Sequence, residues 1–214
     1  MGWNLYVITD INMAAPRSYL QIVREILEGG SNVIQIRDKT TPFDELMEIG
    51  KKIRQMVNEY GATMIVNDNP YLAREIDADG VHLGQHDMPV DIAREIVGQD
   101  KIIGLSTHSK QQALISTYQD VDYIGVGPVF STSTKKSGNK PLGTDTLAWI
   151  IKMLRTPVVA IGGIGSENIS EVAEKDIAAP AVVSAIMKSK NLTNATRDLI
   201  DIIKKVRKES NDTT

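Results

Sequence analysis

The 214 residues include no cysteine. That absence excludes a disulfide scaffold, zinc–thiolate and iron–sulfur sites, and a thiol nucleophile. Long apolar runs are missing as well, and none approaches the roughly 20 residues that a membrane helix needs. Residues 1–10, MGWNLYVITD, carry no basic n-region, so they do not read as a secretory signal. Neither sign of charge dominates: 24 basic residues face 27 acidic ones, for a net charge of -3. A dedicated nucleic-acid binder is normally basic, so this balance argues against one. Low-complexity linkers and abrupt shifts of composition are also lacking. The expectation is a cytoplasmic protein with neither a membrane nor a nucleic acid as partner.

What is present is ordinary globular material, 42% hydrophobic and 24% charged. The length suits one large domain, read here as residues 1–208, with the polar end ESNDTT at 209–214 as a frayed tail. Eight short apolar runs recur, at 5–9, 32–37, 63–67, 80–84, 101–106, 123–127, 158–162 and 181–185. They are β-rich without strict alternation, which is how a strand buried on both faces reads. Helical spacing lies between them, most clearly at Leu20, Val23, Ile26 and Leu27, again from Phe43 to Val57, and last over about 192–208. Pro16, Pro42, Pro70 and Pro89 fit first helical turns, Gly29-Gly30 and Gly61 fit helix ends, and Ser109 and Ser166 fit N-caps. Eight strand–helix units predict an α/β fold, a single (β/α)8 TIM barrel. A doubly wound open sheet is the alternative.

In such a barrel the chemistry sits at the C-terminal ends of the strands. Gln35, Arg37 and Lys39 leave the second strand at alternate positions, so an amide and two cations would share a face suited to a diphosphate. Asp68 and Asp87 end the next two strands beside Asn67, and two carboxylates with substrate phosphates are the donor set Mg2+ prefers. Alone, each aspartate would read as a turn or cap residue. Gly162-Gly163-Ile164-Gly165 after the seventh strand and Val183-Ser184 after the eighth occupy the usual place of a phosphate cup. Of the three histidines, His82 lies inside a strand and is expected to pack in the barrel, while His108 can reach the mouth. Trp3 and Trp149 read as packing residues, with Trp3 ahead of the first strand and open to exposure.

The strings LYVITD, VIQIRDK, IVND, DGVHLGQHD, IGLSTHS, GPVFSTSTKK, PLG, VVAIGGI and VVSAI occur in order over nearly the whole chain. Together they resemble the thiamine-phosphate synthase family, with GPVFSTSTKK the most specific. The resemblance implies a (β/α)8 barrel that joins 4-amino-2-methyl-5-(diphosphooxymethyl)pyrimidine to a thiazole phosphate, releasing diphosphate. It implies Mg2+ at Asp68 and Asp87. It places the pyrimidine diphosphate at Gln35, Arg37, Lys39, Asn67, Ser106 and Lys135, and the thiazole phosphate at Thr132, Thr134, Gly163, Val183 and Ser184, with Asp38 and Ser133 as further substrate-binding residues. Arg37, Ser106 and Lys135 are the expected catalytic residues. The partners implied are the two small-molecule substrates, and a homo-oligomer is left open. The family usually reads Gly-Ala-Asp-Gly before the last strand, whereas this chain has Asp176-Ile177-Ala178-Ala179-Pro180. Two other readings remain on the sequence: a thiazole tautomerase, which shares the barrel but generally lacks the full diphosphate cluster, and a non-catalytic barrel that binds a phosphate ligand.

Overall fold

Eight parallel strands pair in chain order and the eighth returns to the first, closing a barrel. The structure is a computed structural model and describes residues 1–132, 134 and 140–211. The strands are β1 (Tyr6–Ile8), β2 (Val33–Ile36), β3 (Thr63–Asn67), β4 (Gly80–Leu83), β5 (Ile102–Thr107), β6 (Tyr123–Val126), β7 (Val158–Ile161) and β8 (Ala179–Val182). Around them run α1 (Tyr19–Glu28), α2 (Phe43–Glu59), α3 (Pro70–Glu75), α4 (Val90–Val97), α5 (Lys110–Ile115), α6 (Gly143–Met153), α7 (Ile169–Ala173), α8 (Ser184–Met187) and α9 (Leu192–Asn211). Closure is made by Tyr6 opposite Ala181 and Val7 opposite Val182. This is the expected (β/α)8 barrel, and the open sheet is excluded.

The apolar residues sort into two cores. The larger lies between strands and helices and includes Val7, Ile34, Met64, Val81 and Ile103. The smaller fills the barrel and holds Trp3, Tyr6, Ile8, Val33, Ile65, Tyr123, Val159, Ala179 and Ala181. Strands with apolar residues on both faces supply both cores at once, which is why they lack polar alternation. Each helix adds one apolar face. In α1 that face is Tyr19, Ile22, Val23, Ile26 and Leu27, and a Ser18–Gln21 capping box opens the helix.

The N-terminal end of the barrel carries a repeated charged device. Asp79, just before β4, accepts the Met64 N–H at 2.7 Å and pairs with Arg54 at 2.7 Å. Asp122, just before β6, accepts the Ile103 N–H at 2.8 Å and pairs with the buried Arg94 at 2.9 Å. Charge on this face serves the fold, because the chemistry of such barrels lies at the other end.

Several local expectations need correction. Pro16 lies outside α1, which starts at Tyr19 behind Ser18. Ser166 is not an N-cap; Asn168 precedes α7. The last strand lies upstream of 181–185: it runs from Ala179 to Val182, and Ser184 opens the short helix α8, which the sequence reading missed. Pro180 reads as a strand breaker because it cannot donate to a ladder. Here it pairs with Ala160 all the same, while Ala179 and Ala181 supply the small side chains the barrel interior takes. Trp3 is buried inside the barrel, its ring meeting Tyr6 and Tyr123 edge-on at 5.5 and 5.2 Å. The final helix continues to Asn211, past the 208 expected.

Candidate active site

The C-terminal ends of the strands open on one cavity with about 960 Å³ of empty space, its mouth included. Gln35, Arg37, Asn67, His82, Ser106 and His108 line one side. Thr132, Thr134, Gly163, Val183 and Ser184 line the other. Residues far apart in sequence thus meet because every strand delivers its last residues to the same rim.

The β2–β4 side is charged. Pairing of β2 stops at Ile36, so only Gln35 is fixed by strand alternation; Arg37 and Lys39 reach the rim from the loop. Arg37 is held by its backbone: its N–H donates to Thr9 Oγ1 at 3.0 Å and its carbonyl accepts from the Tyr19 hydroxyl at 2.9 Å. Its guanidinium pairs with Asp10 at 3.2 Å. Lys39 pairs with Asp68 at 3.2 Å and does not line the cavity with Arg37. Asp38 departs further from the expected binding role. Its carboxylate accepts from the backbone N–H groups of Thr40 and Thr41 at 2.7 and 2.9 Å and from both hydroxyls, closing the turn before α2. Burial opposes ionisation of Asp38, but those hydrogen bonds outweigh it and hold the carboxyl below its ordinary range.

Asp68 and Asp87 are brought together. Asp68 has φ of 62°, and its N–H donates to His82 O at 2.8 Å, which fixes the turn. Asp87 accepts the Gly84 N–H at 2.6 Å. Burial, and then the hydrogen-bonded carboxyl of Asp68, raise the Asp87 carboxyl above its ordinary value. Two adjacent carboxylates are a donor pair suited to a hard divalent cation. Among the described residues no cluster of three or more acidic, histidine or cysteine side chains forms a fuller cation site.

The β7–β8 side is built from backbone. Gly162 and Gly163 have φ of 100° and 67°. Asn168 ties their loop, donating to Gly163 O and accepting from Gly165 N, each at 2.9 Å. Val183 leaves the extended region at φ -123° and ψ -80°, and α8 begins at Ser184. A helix's first turn has N–H groups without intrahelical partners, the right chemistry for a phosphate. The Thr134 hydroxyl meets that of Ser184 at 3.3 Å, so Thr134 lies against the cup. Ser133 and Lys135, expected on this loop, lie outside the described residues.

Inside the mouth runs a polar chain that the sequence reading missed. Gln35 Nε2 donates to the Tyr6 hydroxyl at 2.8 Å. The hydroxyls of Tyr6 and Tyr123 are 2.7 Å apart. Tyr123 is 2.9 Å from His82 Nδ1, and His82 Nε2 is 2.8 Å from Ser106 Oγ. Burial pushes both phenols well above the ordinary tyrosine range, so they stay protonated. The available signal was the tyrosines themselves, since a phenol on a strand buried on both faces needs a partner. His108 is held differently: its Nδ1 donates to Gly127 O at 2.6 Å.

Residues 5–186 match the family model described as thiamine monophosphate synthase. A protein named thiamine-phosphate synthase from Dictyoglomus turgidum is 41% identical over 201 residues, spanning 94% of this chain and 90% of its own. A protein of the same name from Pelotomaculum thermopropionicum is 44% identical over 200 residues, spanning 94% and 92%. The chain belongs to the thiamine monophosphate synthase family. The solved thiamine phosphate pyrophosphorylase from Pyrococcus furiosus superposes with a TM-score of 0.88 at 40% identity, covering 95% of this chain and 96% of that one. At 14% identity and a TM-score of 0.68, the (S)-3-O-geranylgeranylglyceryl phosphate synthase of Thermoplasma acidophilum shares the fold alone. Among the described residues no helix is long and apolar enough to cross a membrane.

Proposed function

We propose that this family member is a transferase that joins 4-amino-2-methyl-5-(diphosphooxymethyl)pyrimidine to 4-methyl-5-(2-phosphooxyethyl)thiazole. The C–O bond to the diphosphate breaks and its electron pair leaves with diphosphate. The thiazole ring nitrogen supplies the pair for the new C–N bond and becomes the thiazolium of thiamine phosphate. One observation carries the reading: Gln35, Arg37 and Asn67 share a single cavity with the backbone cup at β7–β8, and the Lys39–Asp68 pair follows directly after Asn67. A one-anion ligand would leave one side idle.

The substitution needs no protein nucleophile, which agrees with the lack of cysteine. Arg37 and Lys39 would offset charge growing on the departing diphosphate, and Asn67 would position it. Asp68 and Asp87 fit Mg2+, which when bound supplies positive charge to the diphosphate. Gly163, Val183 and Ser184 would hold the thiazole phosphate, with Thr132 and Thr134 closing over it. Ser106 would face the pyrimidine ring. We read residues 1–208 as one domain, because every element from β1 to α9 packs on the same barrel. A tautomerase working on the thiazole alone would have no use for the rim of Gln35, Arg37, Asp68 and Asp87.

The test is a coupling assay with purified protein, both substrates and Mg2+. Thiamine phosphate and diphosphate should form in equal amounts and stop when either substrate or the metal is withheld. Asp68→Asn and Asp87→Asn should each lower kcat/KM by about 10²-fold or more, the scale of a lost electrostatic contact at the reacting charge. Isomerised thiazole without diphosphate would contradict the reading.

A further inference from the structure

We propose that Tyr6, Tyr123 and His82 form a one-way hydrogen-bond relay. It fixes the donors and acceptors that Gln35 and Ser106 present to the pyrimidine, and so selects a 4-aminopyrimidine over its 4-oxo counterpart. The inference rests on the function proposed above and goes beyond it: these three side chains are positioning residues that set specificity.

The direction follows from the orientation of the Gln35 amide, Nε2 toward Tyr6, and from counting protons onward from it. Gln35 Nε2 is a donor, so the Tyr6 oxygen accepts from it. The Tyr6 proton must then go to Tyr123, 2.7 Å away. Tyr123 has accepted one proton and gives its own to His82 Nδ1. Nδ1 is thereby the acceptor, so the histidine carries its proton on Nε2 and donates it to Ser106 Oγ at 2.8 Å. The Ser106 proton is left for a ligand. At the other end, Gln35 keeps one N–H and its Oε1, which makes no hydrogen bond among the described residues although the side chain lines the cavity.

Reversing the relay reverses the code. Ser106 would then donate to His82, and Gln35 would accept from Tyr6 and show the cavity only N–H groups. A 4-aminopyrimidine edge offers a donor amine beside an acceptor ring nitrogen. A 4-oxo ring offers an acceptor carbonyl beside a ring N–H. The amide and hydroxyl left by the forward direction match the first and oppose the second.

The barrel makes room for the relay at two glycines. A Cβ on Gly104 would overlap the Tyr123 ring and come within 2.5 Å of His82 Nδ1, and one on Gly125 would lie 3.1 Å from His82 Cε1. The His82 and Tyr123 rings stack at 5.4 Å. Trp3 closes the far side edge-on to both tyrosines. The phenols are therefore locked in place, and neither can turn to a new partner without displacing a ring.

The test pairs a spectroscopic and a kinetic readout in the full-length protein. In the free wild type, ¹⁵N NMR of His82 should show the neutral tautomer protonated at Nε2, and Tyr123→Phe should move the Nδ1 resonance. In coupling assays, the preference for the amino over the oxo pyrimidine diphosphate, as a ratio of kcat/KM, should fall at least about tenfold in Tyr123→Phe, because buried polar groups reject a mismatched edge only while they are oriented. KM for the thiazole phosphate should stay within about twofold, since that ligand does not touch the relay. Tyr6→Phe, which frees the Gln35 amide, provides the same readout if Tyr123→Phe fails to fold. A wild type that couples the amino substrate, with selectivity unmoved in the variant that folds or with His82 protonated at Nδ1, overturns the relay alone. A wild type that couples neither pyrimidine overturns the function reading and the selectivity role with it.

Discussion

Gly163 holds φ at 67°, and a Cβ there would come within 2.5 Å of the Ser131 carbonyl and 2.9 Å of Phe130 Cβ. Both the dihedral and the close approach require glycine. Gly163→Ala should therefore push apart the β6 and β7 loops that form the cup. We expect KM for the thiazole phosphate to rise about tenfold, a loss of about 1.4 kcal/mol, with KM for the pyrimidine diphosphate changed less than about twofold. Equal effects on both, in two-substrate kinetics, would contradict separate anion sites. Asp38 makes a different prediction. Its carboxyl lies below its ordinary 3.8, so ionised Asp38 stabilises the fold above that pH and the contribution fades as pH falls through the folded value. Asp38→Asn should lower the denaturation midpoint most near neutrality, and the gap to wild type should close in acid. A gap independent of pH would show that the turn does not depend on the charge. At this scale the placement of Asp68, Asp87 and Gly163 past the strand ends was legible in the sequence, because strand ends and glycine pairs mark it. Asp38 was not, since the DKTT stretch does not say whether its carboxylate turns to the substrate or to its own backbone.

Elements were legible where periodicity was long and ambiguous where it was short. The α1 stripe of Ile22, Val23, Ile26 and Leu27 reads directly as a buried helical face. The eighth strand was misplaced because Ala179-Pro180-Ala181 has no β-branched residue to mark it, while the Val182-Val183 that follows does. The same segment departs from the barrel's other entries in a way that can be measured. Ala178 donates its N–H to Val158 O, as Asp79 does to Met64 O and Asp122 to Ile103 O. Ala178 thus stands where two other strands place a carboxylate paired with arginine. Nearby, Arg207 donates to the Ile177 carbonyl at 3.2 Å, and burial lowers its pKa. An acid here would accept a backbone N–H and neutralise that guanidinium. Ala178→Asp should raise stability by about 1 kcal/mol and Tm by about 2–4 °C. A lower Tm would show that β8 has diverged too far to take the device.

The whole molecule places its polar groups by depth. Paired charges pin the N-terminal end, aromatic rings fill the middle, and polar groups line the C-terminal rim. The barrel was the arrangement favoured by counting eight strand–helix units in this length, and the pairing of β8 with β1 decides it against the open sheet. The filling of the barrel was not legible, because Trp3, Tyr6 and Tyr123 are separated by up to 120 residues and meet only once the strands close. Closure brings Arg37 and the Gly163–Ser184 cup to one cavity, and a crystal structure with Mg2+, diphosphate and thiamine phosphate tests the two proposed anion sites directly. Diphosphate should contact Arg37 and Lys39, the metal should bridge it to Asp68 and Asp87, and the ester phosphate should lie against Gly163 and Ser184. A metal bound elsewhere, or diphosphate seated in the Gly163–Ser184 cup, would contradict the account.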